Sequence, residues 1–124
     1  MRAFIDDFGV VYEITKNGKI YLTLPREKKR RFIGQVIGKV LHKDRWNTYI
    51  FKRTQEFGFP YEVLKYLLDT GEIEEIQITL GDVVYRRKIK SEDLKGSKFR
   101  HFKRQGYERQ VFIKISEFEK IGGK

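Results

Sequence analysis

Apolar and polar residues alternate on both sides of a glycine-bearing turn near the start of the chain. Six apolar residues occupy every second position: Val10, Tyr12, Ile14, Ile20, Leu22 and Leu24. This period predicts two β-strands that share one buried face. A three-residue loop with Gly18 in the left-handed conformation keeps all six on that face, whereas a two-residue Asn-Gly turn would divide them. We therefore predict a hairpin in which Ile14 pairs with Ile20.

The following segment, from Pro25 to Lys43, repeats its apolar residues every four positions. They are Phe32, Ile33, Val36, Ile37, Val40 and Leu41. On a helical wheel these residues form one continuous arc, and Pro25 suits a first helical turn. Gly34 and Gly38 would each cost a helix about 1 kcal/mol. We predict a helix here, with a buried strand as the alternative.

Turn residues and apolar stripes delimit the later elements. Residues 46–54 are rich in β-formers and predict a strand, and a second helix begins at Pro60 and ends at Gly71. Its buried stripe is Val63, Leu64, Leu67 and Leu68. A second hairpin over residues 76–89 turns at Gly81-Asp82, and a last strand covers residues 109–115.

The resulting order is β-β-α-β-α-β-β-β. We predict a single α+β domain over residues 1–124, with two helices packed on a mainly antiparallel sheet of about six strands and a frayed tail at residues 120–124. In the second hairpin, the register places Gln77 beside Arg86 and Glu75 beside Lys88. A length of 124 residues supports one modest core.

Charge is segregated along the chain, whose net charge is +10. Residues 26–53 hold ten basic and two acidic residues, and residues 86–114 hold eleven basic and three acidic residues. The intervening residues 54–85 hold one basic and seven acidic residues. Two basic blocks around an acidic one predict a single positive face that binds a polyanion. A solvated basic surface is the alternative.

Aromatic rings lie among the cations of both blocks, and this mixture suits phosphates and bases together. Phosphate contacts are predicted for Arg30, Arg31, Lys39, Lys43, Arg45, Lys52, Arg53, Arg86, Arg87, Lys98, Arg100, Lys103, Arg104 and Arg109. Stacking is predicted for Trp46, Phe99, Phe102 and Tyr107. The richest mixture runs from Lys95 to Lys114, where one acid accompanies seven Lys and Arg residues.

The first hairpin and the residues after it resemble the opening of the GIY-YIG nucleases. The likeness covers residues 9–67 and depends on Val10-Val11-Tyr12, Tyr21-Leu22-Thr23, Arg30 or Arg31, and Glu62. It implies that the two tyrosines and an arginine face the scissile phosphate and that Glu62 holds Mg²⁺ or Mn²⁺. Thr23 replaces a glycine of the family's second motif. A metal-dependent nuclease is therefore an alternative function.

The segment ITKNGKIYLTLPREKKRR is also similar to swapped-hairpin transcription factors of the AbrB type. These proteins have a glycine-bearing turn, a strand that ends in proline, and then a basic helix. The Gly-Asp pair that should follow the helix is missing here. The similarity implies a dimeric DNA-binding protein.

Other catalytic or metal chemistry has little support in the sequence. Cysteine is absent, and His42 and His101 do not have a zinc-site spacing. His101 lies among cations and rings, where it could contact phosphate or act as a general base. Asp82 followed by Asp93-Leu94-Lys95 has the spacing of a two-acid nuclease, but these acids suit a turn and a helix cap. We predict no cofactor, with Mg²⁺ or Mn²⁺ only for a nuclease.

We predict a small cytoplasmic nucleic-acid-binding protein for DNA or RNA, with phosphate-dominated and weakly selective contacts. A protein-interaction module or inhibitor, whose basic face meets an acidic protein, is the third function class, and a homodimer is a further expectation. No apolar run approaches the roughly 18 residues of a membrane span, and acids interrupt the N-terminal segment where a signal peptide is apolar. Abundant Lys and Glu with little Asn and Met resemble hyperthermophile composition.

Overall fold

The computed structural model describes residues 2–43, 56–102 and 106–122, without the side chains of residues 99–102 and 106–108. The described strands are β1 (Arg2–Ile5), β2 (Val11–Ile14), β3 (Lys19–Thr23), β4 (Arg31–Ile37), β5 (Val40–Lys43), β6 (Glu56–Pro60), β7 (Glu75–Leu80), β8 (Val83–Lys88), β9 (Ser97–Phe102), β10 (Gly106–Lys114) and β11 (Glu119–Gly122). The helices of the same ranges are α1 (Tyr61–Asp69) and two 3₁₀ turns, Ser91–Gly96 and Ile115–Glu117. The strand predicted at residues 46–54 lies outside the described residues.

The strands form two sheets. The eight-stranded sheet has the order β1-β2-β3-β4-β5-β7-β8-β11, and the three-stranded sheet has the order β6-β10-β9. Neighbours are antiparallel except for β5 and β7, which are parallel. Between β5 and β7 the chain contributes β6 to the smaller sheet and then forms α1, as a parallel pair requires a long crossover.

The predicted α+β fold with two helices and about six strands is wrong. The described chain is mainly β, and the segment predicted as the first helix forms β4 and β5. The chain reverses at Gly38, with φ 62°, so that Val36 pairs with Leu41 and Ile37 with Val40. The reversal divides the six apolar residues between two strands: Ile33 and Leu41 are buried, whereas Phe32 and Ile37 are exposed, so the four-residue spacing does not form one buried stripe.

Gly34 explains why the two strands of this hairpin pack so closely. A Cβ atom at Gly34 would lie 2.8 Å from the carbonyl oxygen of His42 on β5. The glycine that would weaken a helix instead permits a close approach between neighbouring backbones. The segment therefore forms strands in place of the predicted helix, but two strands and not the one buried strand that is the alternative.

The first hairpin is confirmed in register and in burial. Ile14 pairs with Ile20 and Tyr12 with Leu22, Gly18 has φ 81°, and all six alternating apolar residues are buried. The second hairpin is also confirmed, because Gln77 pairs with Arg86. Both successes come from period-two patterns bounded by turn glycines.

The inner faces of both sheets and α1 share one hydrophobic core. The predicted helix from Pro60 is confirmed as α1, which buries Val63, Leu64 and Leu67. The stacked rings of Phe57 and Phe59 in β6, with centroids 5.9 Å apart, belong to the same core. Each fully buried ring stabilises the fold by about 1.5–3 kcal/mol. No helix of the described residues is long and apolar enough to cross a membrane.

Antiparallel connections divide the turns between two ends of the eight-stranded sheet. The β1–β2 turn (residues 6–10) and the β3–β4 loop (residues 24–30) lie at one end, and a Cβ atom at Gly9 would lie 3.4 Å from Cγ of Pro25. The β2–β3 turn (residues 15–18) and the β4–β5 turn (residues 38–39) lie at the opposite end. Helix α1 runs between these two ends. Its start lies beside the β1–β2 turn, and its last turn lies beside the β2–β3 and β4–β5 turns.

Candidate nucleic-acid interface

The β3–β4 loop concentrates positive charge on an exposed segment. We call Arg26–Arg31 the basic loop: it contains five Lys and Arg residues and one acid, Glu27. The loop starts with a tight turn, in which the amide of Glu27 donates to the carbonyl of Leu24 at 3.0 Å. Arg31 binds the Glu27 carboxylate through Nε at 3.0 Å and also through Nη2. Among the described residues, the exposed Lys28 and Lys29 are not paired with a carboxylate.

Two aromatic rings lie next to the basic loop on the outer face of the sheet. Tyr21 on β3 and Phe32 on β4 are cross-strand partners, and their ring centroids are 5.6 Å apart in an edge-to-face arrangement. We call them the aromatic pair. The Arg30 guanidinium lies 4.0 Å from the centre of the Tyr21 ring, and its Nη1 is 3.5 Å from a carboxylate oxygen of Glu13. Phe32 remains 36% exposed, so one ring is open to a ligand.

Arg109, on β10, belongs to the second basic block (residues 86–114) and lies close to the end of the molecule that carries the β1–β2 turn. Its guanidinium lies 3.8 Å from the centre of the Tyr61 ring, and its Nε donates to Oγ of Ser97 at 2.8 Å. It also lines a cavity of about 100 Å³ with four other residues: Asp6, Asp7, Phe8 and Glu62. The β1–β2 turn therefore lies beside both Pro25, which precedes the basic loop, and Arg109 on β10.

Part of the predicted interface lies outside the described residues. This holds entirely for Arg45, Trp46, Lys52, Arg53, Lys103 and Arg104, and for the side chains of Phe99, Arg100, Phe102 and Tyr107. The backbone of the last four belongs to the β9–β10 hairpin, in which Tyr107 pairs with His101. Lys98 is exposed on β9.

Arg87 is bound by acids of its own chain. Its guanidinium donates to both carboxylate oxygens of Asp93, at 3.0 and 2.9 Å, and approaches Glu117 at 3.3 Å. Burial raises the pKa of Asp93, but hydrogen bonds from Arg87 and from the Lys90 amide outweigh it, so this pKa is lower than usual. The Arg87 and Asp93 side chains are each 18% exposed. Arg87 therefore forms a half-buried ion pair that joins parts of its own chain.

Three further predicted cations have neighbours outside the basic loop. Arg86 lies between Glu75 at 3.7 Å and Glu119 at 3.8 Å on the outer face of β8. Lys39 is 3.2 Å from Glu74 at the opposite end of the sheet, and Lys43 lies 5.0 Å from the centre of the Phe57 ring. The structure therefore brings together only a part of the predicted surface: Arg30 and Arg31 lie in the basic loop, and Arg109 is linked to it through the β1–β2 turn.

The residues that resembled a nuclease site are not brought together. Tyr12 is fully buried, and its hydroxyl donates to Oδ2 of Asp6 at 3.1 Å, whereas Tyr21 points to the outer face. No helix follows the hairpin, and Glu62 lies at the start of α1. Among the described residues, no group of three or more His, Cys, Asp or Glu side chains could hold a metal ion.

The predicted phosphate and stacking residues do not include Lys28, Lys29 or the aromatic pair, which the structure adds as candidates. The signal for Tyr21 was present, because it alternates with Ile20 and Leu22 of the predicted inner face and must therefore point outward. Phe32 was assigned to the inner stripe of a helix that does not form.

No known protein family, curated protein or solved structure matches the chain. Its function is therefore inferred from the geometry and charge of the chain itself.

Proposed function

We propose that the protein binds nucleic acid through the basic loop and the aromatic pair. The observation that supports this most strongly is the position of an exposed loop with five cations beside exposed Phe32 and the Arg30–Tyr21 stack. Lys28 and Lys29 would contact phosphates, and the Phe32 ring would stack on a base. Lysines that bind a polyanion release its counterions, which makes affinity strongly dependent on salt.

A single-stranded ligand fits the aromatic pair better than a duplex. A ring on an open sheet face stacks on bases that are not already paired and stacked with each other. The β9–β10 hairpin, which begins at Ser97 and includes Arg109, would extend the basic surface in this proposal. Contacts of this kind recognise the phosphate backbone of the nucleic acid more than its base sequence. We propose a cytoplasmic DNA or RNA as the partner.

The test is a titration of fluorescent single-stranded and duplex DNA and RNA over a series of salt concentrations. In the double variant Lys28→Gln/Lys29→Gln, the slope of log affinity against log salt should fall by about 1.4 for single strands, since each phosphate contact contributes about 0.7. The matched control, Lys65→Gln/Lys120→Gln, removes the same charge from exposed positions on α1 and β11. It should retain the original slope.

A slope that is flat in the parent protein would overturn this proposal. Equal losses in the two double variants would reduce it to an effect of net charge. Binding to an acidic protein without affinity for any of the four nucleic acids would instead favour a protein-interaction module. Adding Mg²⁺ or Mn²⁺ to the same samples tests the nuclease alternative, which requires cleavage that Glu62→Ala abolishes.

A further inference from the structure

A second basic site lies at the opposite end of the eight-stranded sheet from the basic loop. Here the β2–β3 turn, the β4–β5 turn, the end of α1 and the start of β1 surround a cavity of about 430 Å³. Its lining residues include Arg2, Lys16, Val36, Lys39, Leu67 and Glu72. This volume lies within the range of about 300–1,000 Å³ that is typical of small-molecule sites.

The walls of this cavity are held in place by hydrogen bonds between the segments. The amide of Val36 donates to the carbonyl of Gly18 at 2.9 Å, which joins the β2–β3 turn to β4. The amide of Glu74 donates to the carbonyl of Lys39 at 2.7 Å and joins the β4–β5 turn to the segment after α1. Because these bonds do not involve a ligand, the cavity is formed before anything binds, which lowers the entropic cost of binding.

The charges of the lining are unequal. Arg2 donates to the Glu72 carboxylate and, at 3.1 Å, to the hydroxyl of Tyr66, so Glu72 already has a cation of its own. Burial raises the pKa of Glu72, but hydrogen bonds from Thr70 and Arg2 outweigh it, so this pKa is lower than usual. Lys16 and Lys39 then remain as positive charges on two different turns.

Glu74, the carboxylate that pairs with Lys39, competes only weakly with a ligand for this lysine. Glu74 is 3.2 Å from Lys39, but both side chains are more than half exposed, at 69% and 61%, and exposed pairs contribute little. Lys16 has no carboxylate partner among the described residues. Val36 and Leu67 add an apolar part to the lining. Two cations beside an apolar wall suit a small organic anion better than a bare inorganic ion.

We propose that this cavity binds a small organic anion, with its phosphate or carboxylate group between Lys16 and Lys39 and its apolar body against Val36 and Leu67. The site is independent of the proposed nucleic-acid function, because the basic loop lies at the other end of the sheet. The two lysines would supply charge-assisted hydrogen bonds, which are the stronger class of polar contact.

The test is a calorimetric and amide-shift titration of the full chain with adenosine monophosphate, citrate, inorganic phosphate and neutral adenosine. Saturable binding of adenosine monophosphate or citrate, without binding of adenosine, is expected, and comparison of those two anions distinguishes phosphate from carboxylate. Lys16→Gln/Lys39→Gln should weaken binding by about tenfold or more, on the scale of one hydrogen bond to a charged group. Both lysines are exposed, so the variant should fold like the parent.

The Lys28→Gln/Lys29→Gln variant separates this site from the basic loop. It should bind the organic anion as tightly as the parent protein while losing nucleic-acid affinity. The proposal is overturned if no anion saturates, if adenosine binds as well as its monophosphate, or if Lys16→Gln/Lys39→Gln has the parent's affinity. Loss of anion binding in the basic-loop variant alone would also overturn it.

Discussion

The guanidinium of Arg87 and the carboxylate of Asp93 form a two-bond pair, with N–O distances of 3.0 and 2.9 Å. The pair joins β8 to the 3₁₀ turn that precedes β9, and Glu117 approaches the same arginine from the turn before β11. One cation therefore joins three separate segments, β8 and the two 3₁₀ turns. Its position gives Arg87 a stabilising role.

Replacing this cation should lower stability without changing nucleic-acid affinity. We expect Arg87→Gln to reduce the free energy of unfolding by about 2 kcal/mol, since it removes hydrogen bonds between charged groups. Arg86→Gln is the matched control, because its pairs at 3.7 and 3.8 Å are exposed and should contribute less than about 1 kcal/mol. Urea denaturation of both variants measures the difference. Equal losses in the free energy of unfolding would contradict the stabilising role of Arg87.

The same pair makes stability depend on pH in the acidic range. The pKa of Asp93 is lowered in the folded protein from an ordinary value of 3.8, so the folded state binds fewer protons than the unfolded state. The stabilisation is therefore complete above pH 3.8 and is lost as the pH falls through the lower folded-state pKa.

The measurement compares urea midpoints of the parent protein and Asp93→Asn as the pH is lowered. The gap between the two proteins should close below pH 3.8, because protonation removes the charge that the substitution has already removed. A gap that stays constant would contradict the role of Asp93. Glu72, whose pKa is also lowered, affects both proteins equally and cancels in the comparison.

Two turn glycines should respond differently to the same substitution. Gly18 and Gly38 both have positive φ, at 81° and 62°, so alanine at either position should cost about 1 kcal/mol in backbone strain. A Cβ atom at Gly18 would also clash with the carbonyl of Val36, whereas Gly38 has open space around it. Gly18→Ala should therefore destabilise clearly more than Gly38→Ala in thermal unfolding. Equal losses would show that the contact with Val36 relaxes freely.

Removing the exposed ring should weaken single-strand binding more than duplex binding. Phe32→Leu keeps an apolar side chain but loses the stacking surface, which is worth about 1–3 kcal/mol per base. Ile37→Ala on the same strand is the control, because Ile37 is exposed at 57% without a ring. Anisotropy titrations should show a loss for Phe32→Leu alone, and equal single-strand and duplex losses would count against stacking.

The hydroxyl of Tyr12 should matter for stability and not for any reaction. Tyr12→Phe removes the hydrogen bond to Asp6 from a fully buried ring, at a cost of about 1 kcal/mol. Nucleic-acid affinity should be unchanged, because the ring faces the core. A large loss of affinity without a loss of stability would mean that Tyr12 reaches the ligand.

The sequence predicted the elements whose pattern and turn chemistry agree. In β2–β3, the alternation and Gly18 specify the same register, and the structure has that register. In β4–β5, the four-residue spacing favoured a helix, but the chain reverses at Gly38 and pairs residues that are three and five positions apart, such as Ile37 with Val40 and Val36 with Leu41. The decisive fact was the packing of Gly34 against the backbone of His42, which a linear pattern does not contain.

The candidate site was less predictable than the hairpins, because charge along a chain does not reveal which acids fold onto which bases. Arg87 meets Asp93 nearby in sequence, whereas Arg2 meets Glu72 from the other half of the chain. The segregation of charge did identify the basic loop. It could not separate Lys28 and Lys29, which lack described carboxylate partners, from cations that stabilise the fold.

The parallel pairing of β5 with β7 has a consequence for how the chain folds. Strands β1 to β5 pair with their immediate neighbours in sequence, so their contacts close short loops at little entropic cost. The contact of Leu41 with Ile76 can form only after the chain has closed a much longer loop through β6 and α1. Local pairing therefore favours early formation of the β1–β5 meander, whereas the non-local β5–β7 and β6–β10 pairings should form more slowly.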